Sequence, residues 1–142
     1  MMSEDLNNAK ACLPGHTLVL CREGQLLYSD KRGVAPMIDR IESGIDLQGY
    51  SAADTVVGKA AASMFVKSGI IAVYAGVLSE KGLLMLRKHG IYTEYAELVD
   101  GIKNRQGTGN CPMEEAVMNL DDPDECYAAI KAKIASLRAH AD

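Results

Sequence analysis

Hydrophobic residues recur at helical spacing in one long segment, Ser51–Ser68, and this segment organises the predicted fold. The apolar pairs lie four residues apart: Val56/Val57, Ala60/Ala61 and Met64/Phe65. Ser51 and Asp54 resemble a capping box, and Gly69 follows in the usual place of a left-handed C-cap. The pattern predicts a helix that starts near Ala52, and its many small residues favour close packing on a sheet.

The segments before this helix predict a hairpin and a short helix. Thr17–Arg22 and Gln25–Ser29 are rich in apolar residues and flank Glu23-Gly24, a pattern typical of two strands joined by a tight turn. Gly33–Gly44 has a proline near its start and two isoleucines three residues apart, which favours a short helix. Ile45–Tyr50 is expected to be a loop.

Strand-like and helix-like patterns alternate after Gly69. Ile70–Val77 is continuously apolar and contains β-branched residues, as is typical of a strand buried on both faces. Ser79 suits an N-cap, Gly82–His89 is apolar nearly all round, and Ile91–Val99 has the composition of another strand. Helix, strand, helix and strand in this order predict a right-handed crossover and a parallel sheet.

The two ends of the chain and one long connector complete the prediction. Met1–Asn8 is polar, and residues 1–10 are expected to be flexible. Asp100–Leu120 has no apolar period, and polar loops of this length are often functional. Asp122 and Pro123 are typical of a helix start, so residues 121–142 are expected to hold a C-terminal helix.

Composition narrows the classes of function. The 142 residues are expected to form a single domain spanning 1–142. The formal net charge of −4 argues against nucleic-acid binding, which needs a basic face. The most apolar run, Val56–Leu78, is interrupted by Lys59 and Lys67, so it does not indicate a membrane span. Four cysteines in a chain without an export signal indicate free thiols and a cytoplasmic location.

Four segments resemble a small uncharacterised prokaryotic family, domain of unknown function 1893, in the cytidine-deaminase-like superfamily. They are Ala53–Ala62, Val73–Ala75, Asn104-Arg105 and Cys111–Glu114. The resemblance covers Thr17 to about Leu120. It implies an α/β fold, a three-layer α/β/α domain with an N-terminal β-hairpin and a mixed sheet, and a pocket beside the central helix. It implies no particular activity.

The motifs of the zinc deaminases are missing from the corresponding positions. Those enzymes place His-x-Glu at the start of the central helix and Pro-Cys-x-x-Cys at the start of the next helix. Here the two positions hold Asp54-Thr55-Val56 and Leu78–Lys81. Cys111-Pro112 is the reverse dipeptide and has no second cysteine at the required spacing. We therefore predict no metal and no other cofactor.

Two charged residues near the start of the predicted helix are candidate ligand contacts. Lys59 is expected to face a cleft and bind an anionic group with the help of the helix N-terminus. The alternative is a lysine on the solvated stripe of the helix. Asp54 is a candidate for binding an amine or hydroxyl of the ligand, or else serves only as part of the helix cap.

The polar connector supplies the other candidates. Asn104 and Arg105, followed by two glycines, suit a phosphate or carboxylate site, with a plain surface turn as the alternative. Cys111 and Glu114 are placed on the same side of the pocket. Cys111 has no histidine near it in sequence to activate its thiol, so a packing role is the alternative.

Three functions are compatible with these residues. The first is a binding protein whose zinc-free pocket takes an anionic, nucleoside-like or nucleotide-like small molecule. The second is a metal-independent enzyme that uses Lys59 and a carboxylate as acid and base. The third is a structural or interaction protein with a vestigial pocket. A homodimer is also expected, from the apolar helix Gly82–His89 and the superfamily's habit of assembling.

Overall fold

The computed structural model describes residues 2–104 and 106–140 of the chain. Six helices and five strands occur in these residues, in this order: α1 (Met2–Cys12), β1 (Leu18–Arg22), β2 (Gln25–Ser29), α2 (Ala35–Glu42), β3 (Ser51–Val57), α3 (Lys59–Ser68), β4 (Ala72–Ser79), α4 (Glu80–Lys88), β5 (Tyr92–Val99), α5 (Pro112–Val117) and α6 (Pro123–His140).

The five strands form one mixed sheet in the order β2-β1-β3-β4-β5. Strand β1 is antiparallel to both β2 and β3, whereas β3, β4 and β5 are parallel to one another. The two parallel connections contain α3 and α4, as expected for β-α-β units. The predicted α/β class, the N-terminal hairpin and the mixed sheet are therefore confirmed.

Helices cover both faces of the sheet. On one face α1 packs, with Ala9 and, just after the helix, Leu13 against Val19, Cys21 and Ala53. The larger core lies on the other face, where residues of α2, α3 and α4 share one cluster with the strands. Helices α5 and α6 pack against α3 on this side. The result is three layers, with α3 at the centre of the thicker one.

The predicted helix Ser51–Ser68 is wrong in its first half, because Ser51–Val57 is the central strand β3. Residues 51 to 53 have no exposed surface, so this strand lacks the alternation of apolar and polar residues that marks a half-buried strand. The helix begins only at Lys59, after the extended residue Gly58. The proposed capping box is also wrong, since both of its residues lie in β3. The C-cap at Gly69 is confirmed by its left-handed φ of 78°.

Residues Met2–Cys12 form helix α1, which differs from the frayed end expected for Met1–Asn8; Met1 lies outside the described residues. The flexibility expected for residues 1–10 stays a prediction. Leu6 and Ala9 are buried, and Ala9 packs against the sheet. Asp5 is also buried, and its carboxylate accepts hydrogen bonds from the main-chain N–H groups of Glu23 and Gly24. It therefore closes the turn between β1 and β2.

The remaining connections agree with the sequence except in one place. Ser79 caps α4, since its Oγ accepts the Gly82 N–H at 3.0 Å, and Asp122 caps α6 through the Glu125 N–H. The connector Asp100–Leu120 contains the short helix α5, which its polar composition did not indicate. Within the described residues, no helix is both long and apolar enough to cross a bilayer.

Candidate functional site

The N-terminus of α3 binds a carboxylate that belongs to the chain itself. Glu114, on α5, accepts hydrogen bonds from the main-chain N–H groups of Lys59 and Ala60, each at 2.8 Å. The first N–H groups of a helix have no partner within the helix, and the helix dipole favours a negative charge there. The two carboxylate oxygens of Glu114 satisfy both requirements.

Two glycines allow this close packing. Gly58 has an extended conformation open to any residue, yet a Cβ atom there would overlap the Glu114 carboxylate. Gly82, in the first turn of α4, lies so near that an added Cβ would be 3.0 Å from the carbonyl carbon of Gly58. A side chain at either position would push apart the helix starts or displace Glu114.

The Lys59 side chain is buried, not spread over a solvated helix face. The residue is 8 % exposed, and its ammonium donates to the Met118 carbonyl oxygen at 3.3 Å. Its described carboxylate neighbour is Asp121, 3.8 Å away, with a side chain that is 79 % exposed. Main-chain and side-chain atoms of Lys59 thus reach the two ends of α5, through Glu114 and Met118.

Asp54 lies in the middle of β3, four residues before Gly58, and is almost fully buried. Its Oδ1 accepts the Val56 N–H at 3.3 Å, which is a long hydrogen bond. Burial raises the pKa of Asp54 from 3.8 to about 7, and the N–H groups of Val56 and Thr55 oppose this only in part. The carboxyl group therefore changes charge near neutral pH.

The polar connector places its candidate residues in different roles. Asn104 hydrogen-bonds within its own turn, accepting the Thr108 N–H at 3.0 Å and donating to the Thr108 hydroxyl. Arg105 lies outside the described residues. Cys111 is half-buried at the start of α5, where its N–H donates to the Ile102 carbonyl and its own carbonyl accepts the Glu115 N–H.

Of the predicted site residues, the structure joins Lys59 and Glu114 directly. The contacts described for Asp54 are with the main chain of β3, and those described for the Lys59 ammonium are with residues after α5. The sequence analysis placed Gly58 inside the predicted helix and missed the packing role of Gly58 and Gly82, although a run of β-branched residues followed by glycine is a typical strand end. It also missed Met118, whose role depends on a carbonyl oxygen that any residue has.

Two surface cavities lie away from the first turn of α3. One hollow of about 310 Å³ lies between β2 and α2, lined by residues that include Tyr28, Asp39 and Arg40. A second, of about 340 Å³, lies beside the loop before β3 and includes Gln48 and Ser68. In residues 2–104 and 106–140, no group of three or more His, Cys, Asp or Glu side chains is arranged to hold a metal ion.

Comparison with known proteins gives a family match and a match over the whole fold. The family model described as "TM1506: Domain of unknown function (DUF1893)" matches residues 12–134. The crystal structure of a DUF1893 family protein from Thermotoga maritima superposes with a TM-score of 0.84 at 24 % identity, covering 94 % of this chain and 92 % of that one. No curated protein matches the chain. At this identity the structural match establishes the fold alone.

Two deaminase structures are similar over part of the chain. A diaminohydroxyphosphoribosylaminopyrimidine deaminase/5-amino-6-(5-phosphoribosylamino)uracil reductase from Thermotoga maritima is 19 % identical with a TM-score of 0.46, covering 67 % of this chain and 35 % of that one. The dCMP deaminase of cyanophage S-TIM5 is 13 % identical with a TM-score of 0.46, covering 66 % of this chain and 95 % of that one. These weaker similarities carry no argument about activity.

Proposed function

The chain belongs to the DUF1893 family, and from the geometry at α3 we propose that it binds an anionic small molecule at the N-terminus of that helix. The carboxylate of Glu114 carries this proposal, because two main-chain N–H groups bind it at 2.8 Å each. The same N–H groups suit a phosphate or a carboxylate of a ligand. We infer that the ligand's anionic group takes the place of Glu114.

The charge around α3's first turn supports an anionic ligand. The helix dipole adds a partial positive charge, and Lys59 adds a full one. The described carboxylate near the Lys59 ammonium is 3.8 Å away on an exposed side chain, and exposed pairs of this kind contribute little. The positive charge of Lys59 is therefore only weakly compensated by this neighbour and adds to the positive potential around α3's first turn.

Asp54 supports a ligand that also has polar edges, such as a nucleotide. Ligands of α/β proteins commonly bind at the carboxyl ends of the parallel strands, and Asp54 lies in the middle of β3, three residues before its carboxyl end. A carboxyl group with a pKa of about 7 both donates and accepts hydrogen bonds near neutral pH. It therefore suits the mixed donors and acceptors of a nucleobase.

Calorimetric titration tests this function with inorganic phosphate, a small dicarboxylate and nucleoside monophosphates as probes. Glu114→Gln keeps the shape of the side chain and removes the competing charge. Charge-assisted hydrogen bonds contribute roughly 1.5–3 kcal/mol, so this variant should bind the same probe about tenfold more tightly, or better. Lys59→Met should bind it more weakly than the unaltered protein.

Lys67→Met is the matched control, because it makes the same substitution in the last turn of the same helix. Lys67 is paired with Asp124 at 2.7 Å, away from α3's first turn. Its loss should leave probe binding unchanged. If neither the unaltered protein nor Glu114→Gln binds any of the probes, the proposed function is wrong.

A structural role for the same residues is the second candidate. Close packing favours it, because the Glu114 carboxylate and Gly82 already fill the space around Gly58. In that case Glu114 is a permanent cap that fastens α5 to α3. Glu114→Gln would then lower stability without any gain in binding, which separates this role from ligand binding.

A further inference from the structure

Strand β5 leaves one edge of the sheet open. It is eight residues long, has β4 as its single neighbour in the sheet, and contains no buried residue. The opposite edge strand, β2, is five residues long, and its Tyr28 carbonyl already accepts a hydrogen bond from Arg40 at 2.9 Å. The two edges therefore differ in length and in how far side chains occupy them.

The exposed apolar side chains of β5 are symmetric about its middle. Tyr92, Tyr95 and Leu98 are exposed and lie three residues apart, so the first and third are equally distant from Tyr95. Helix α4 packs against β5 and carries Leu84, the most exposed of the large apolar side chains described, at 68 %. Apolar surface is thus concentrated at this edge and on the helix beside it.

The usual protection of an edge strand is absent from β5. Natural edge strands are commonly short or carry lysine or proline, which prevents pairing with another strand. The sequence Tyr92–Val99 has no proline, lysine or arginine. Its charged residues are Glu94 and Glu97, and Glu94 is compensated by Lys10 at 2.8 Å and by the hydroxyl of Tyr92 at 2.7 Å.

We propose that β5 pairs antiparallel with β5 of a second copy of the chain, with Tyr95 opposite Tyr95 of that copy. A two-fold axis normal to the sheet then joins two five-stranded sheets into one. In this register Tyr92 faces Leu98, and apolar cross-strand pairs of this kind stabilise a sheet. Glu94 faces Ala96 and Glu97 faces Thr93, so no glutamate faces another.

The proposed pairing places the dimer interface at a different element from the one that the sequence analysis expected. The prediction rested on the apolar helix Gly82–His89, whereas the proposed contact is the strand beside it. Helix α4 packs against β5 and therefore lies near the new interface. A dimer of this form needs no ligand and is independent of the function proposed for α3.

Light scattering coupled to size exclusion tests the assembly. The unaltered protein should show twice the chain mass, and Tyr95→Lys, which puts two ammonium groups on the axis, should halve it. Leu137→Lys is the matched control, since Leu137 is exposed to a similar degree but lies on α6. It should remain dimeric. A monomeric unaltered protein, or a Tyr95→Lys variant that stays dimeric while folded by circular dichroism, overturns the proposal.

Disulfide trapping tests the register. With Cys12 and Cys111 changed to serine, Tyr95→Cys should form a covalent dimer under mild oxidation, because directly opposite residues have Cα atoms about 5 Å apart. Glu97→Cys should not, since the two copies of residue 97 would be offset by about 13 Å along the strands at about 3.3 Å per residue. Equal cross-linking of both variants, or of Glu97→Cys alone, overturns the proposed register.

Discussion

Replacing Asp54 by asparagine should make the protein more stable at pH 8. Asp54 is 7 % exposed, and burial raises the pKa of its carboxyl group from 3.8 to about 7. Near pH 8 the buried group is ionised, and its described contacts do not include a cation. Asparagine has nearly the same shape, can accept the same Val56 N–H, and carries no charge.

The size and the direction of the effect follow from proton linkage. Between pH 4 and 7 the folded protein holds a proton on Asp54 that the unfolded chain has lost, so the stability of the folded state falls as the pH rises through this range. A change in pKa from 3.8 to about 7 corresponds to about 4 kcal/mol, which is lost progressively between these two pH values and is lost in full above pH 7. Burial of the asparagine amide itself costs the variant about 1–2 kcal/mol, which reduces the stability that it gains from the loss of the charge.

Urea unfolding at several pH values measures the difference. We expect Asp54→Asn to exceed the unaltered protein by about 2–3 kcal/mol at pH 8 and to lose this advantage by pH 4. Other carboxyl groups titrate equally in both proteins, so the difference isolates Asp54. Asp46→Asn is the control, because Asp46 makes the same contact with the N–H two residues on but is exposed. It should change stability by less than about 0.5 kcal/mol.

One result would refute this reasoning. If Asp54→Asn is less stable than the unaltered protein at pH 8, and the difference does not vary with pH, then the ionised carboxylate is compensated in the folded state. A bound cation would produce that result. Such a finding would also change the role proposed for Asp54, from a group that donates and accepts hydrogen bonds to one that holds a positive charge.

Three further predictions concern other residues. Glu114→Gln should lower the free energy of unfolding by about 1–2 kcal/mol through the weakened cap on α3, while the exposed Glu115→Gln should be nearly neutral, as checked by chemical denaturation. Asp5→Ala should cost about 1–3 kcal/mol, because two main-chain N–H groups at the hairpin turn lose their acceptor, and the change should appear in hydrogen exchange at that turn. Protein purified without an affinity tag should contain no stoichiometric zinc by elemental analysis; one zinc per chain that is lost on changing Asp54 or Ser79 would contradict this.

Local patterns predicted most elements of the fold but failed where burial removed the signal. The hairpin has its tight turn, and the cap at Ser79 has its serine, so both could be predicted. Strand β3 lies between β1 and β4 and is covered on both faces, so its small residues resemble a helix as much as a strand. Helix α1 was missed because most of its residues are polar. Its buried apolar residues include Leu6 and Ala9, and Ala9 packs on the sheet together with Leu13, just after the helix.

The candidate site could be predicted only as a set of residue types. Lys59 and Glu114 were both selected from the sequence, but the contact between them uses the main chain of Lys59 and spans 55 positions. Nothing local in the sequence specifies such a contact. The exposure of an individual side chain is equally hard to predict, because Lys59 is buried by α5, a helix that itself was not predicted.

Because Ser51–Val57 forms strand β3, Asp54 lies on a strand and Lys59 begins the helix that follows it. In a single helix, Asp54 and Lys59 would project in different directions and would have to bend towards each other. In the structure, a parallel strand ends, Gly58 turns the chain, and α3 begins with N–H groups that have no acceptor within the helix and donate to Glu114. This is the position at which α/β proteins commonly bind anions, since the helix dipole and the unpaired N–H groups coincide there. The sequence supplies the glycine that allows a carboxylate to approach this closely, so any external anion competes with Glu114 for a site that the fold has already formed.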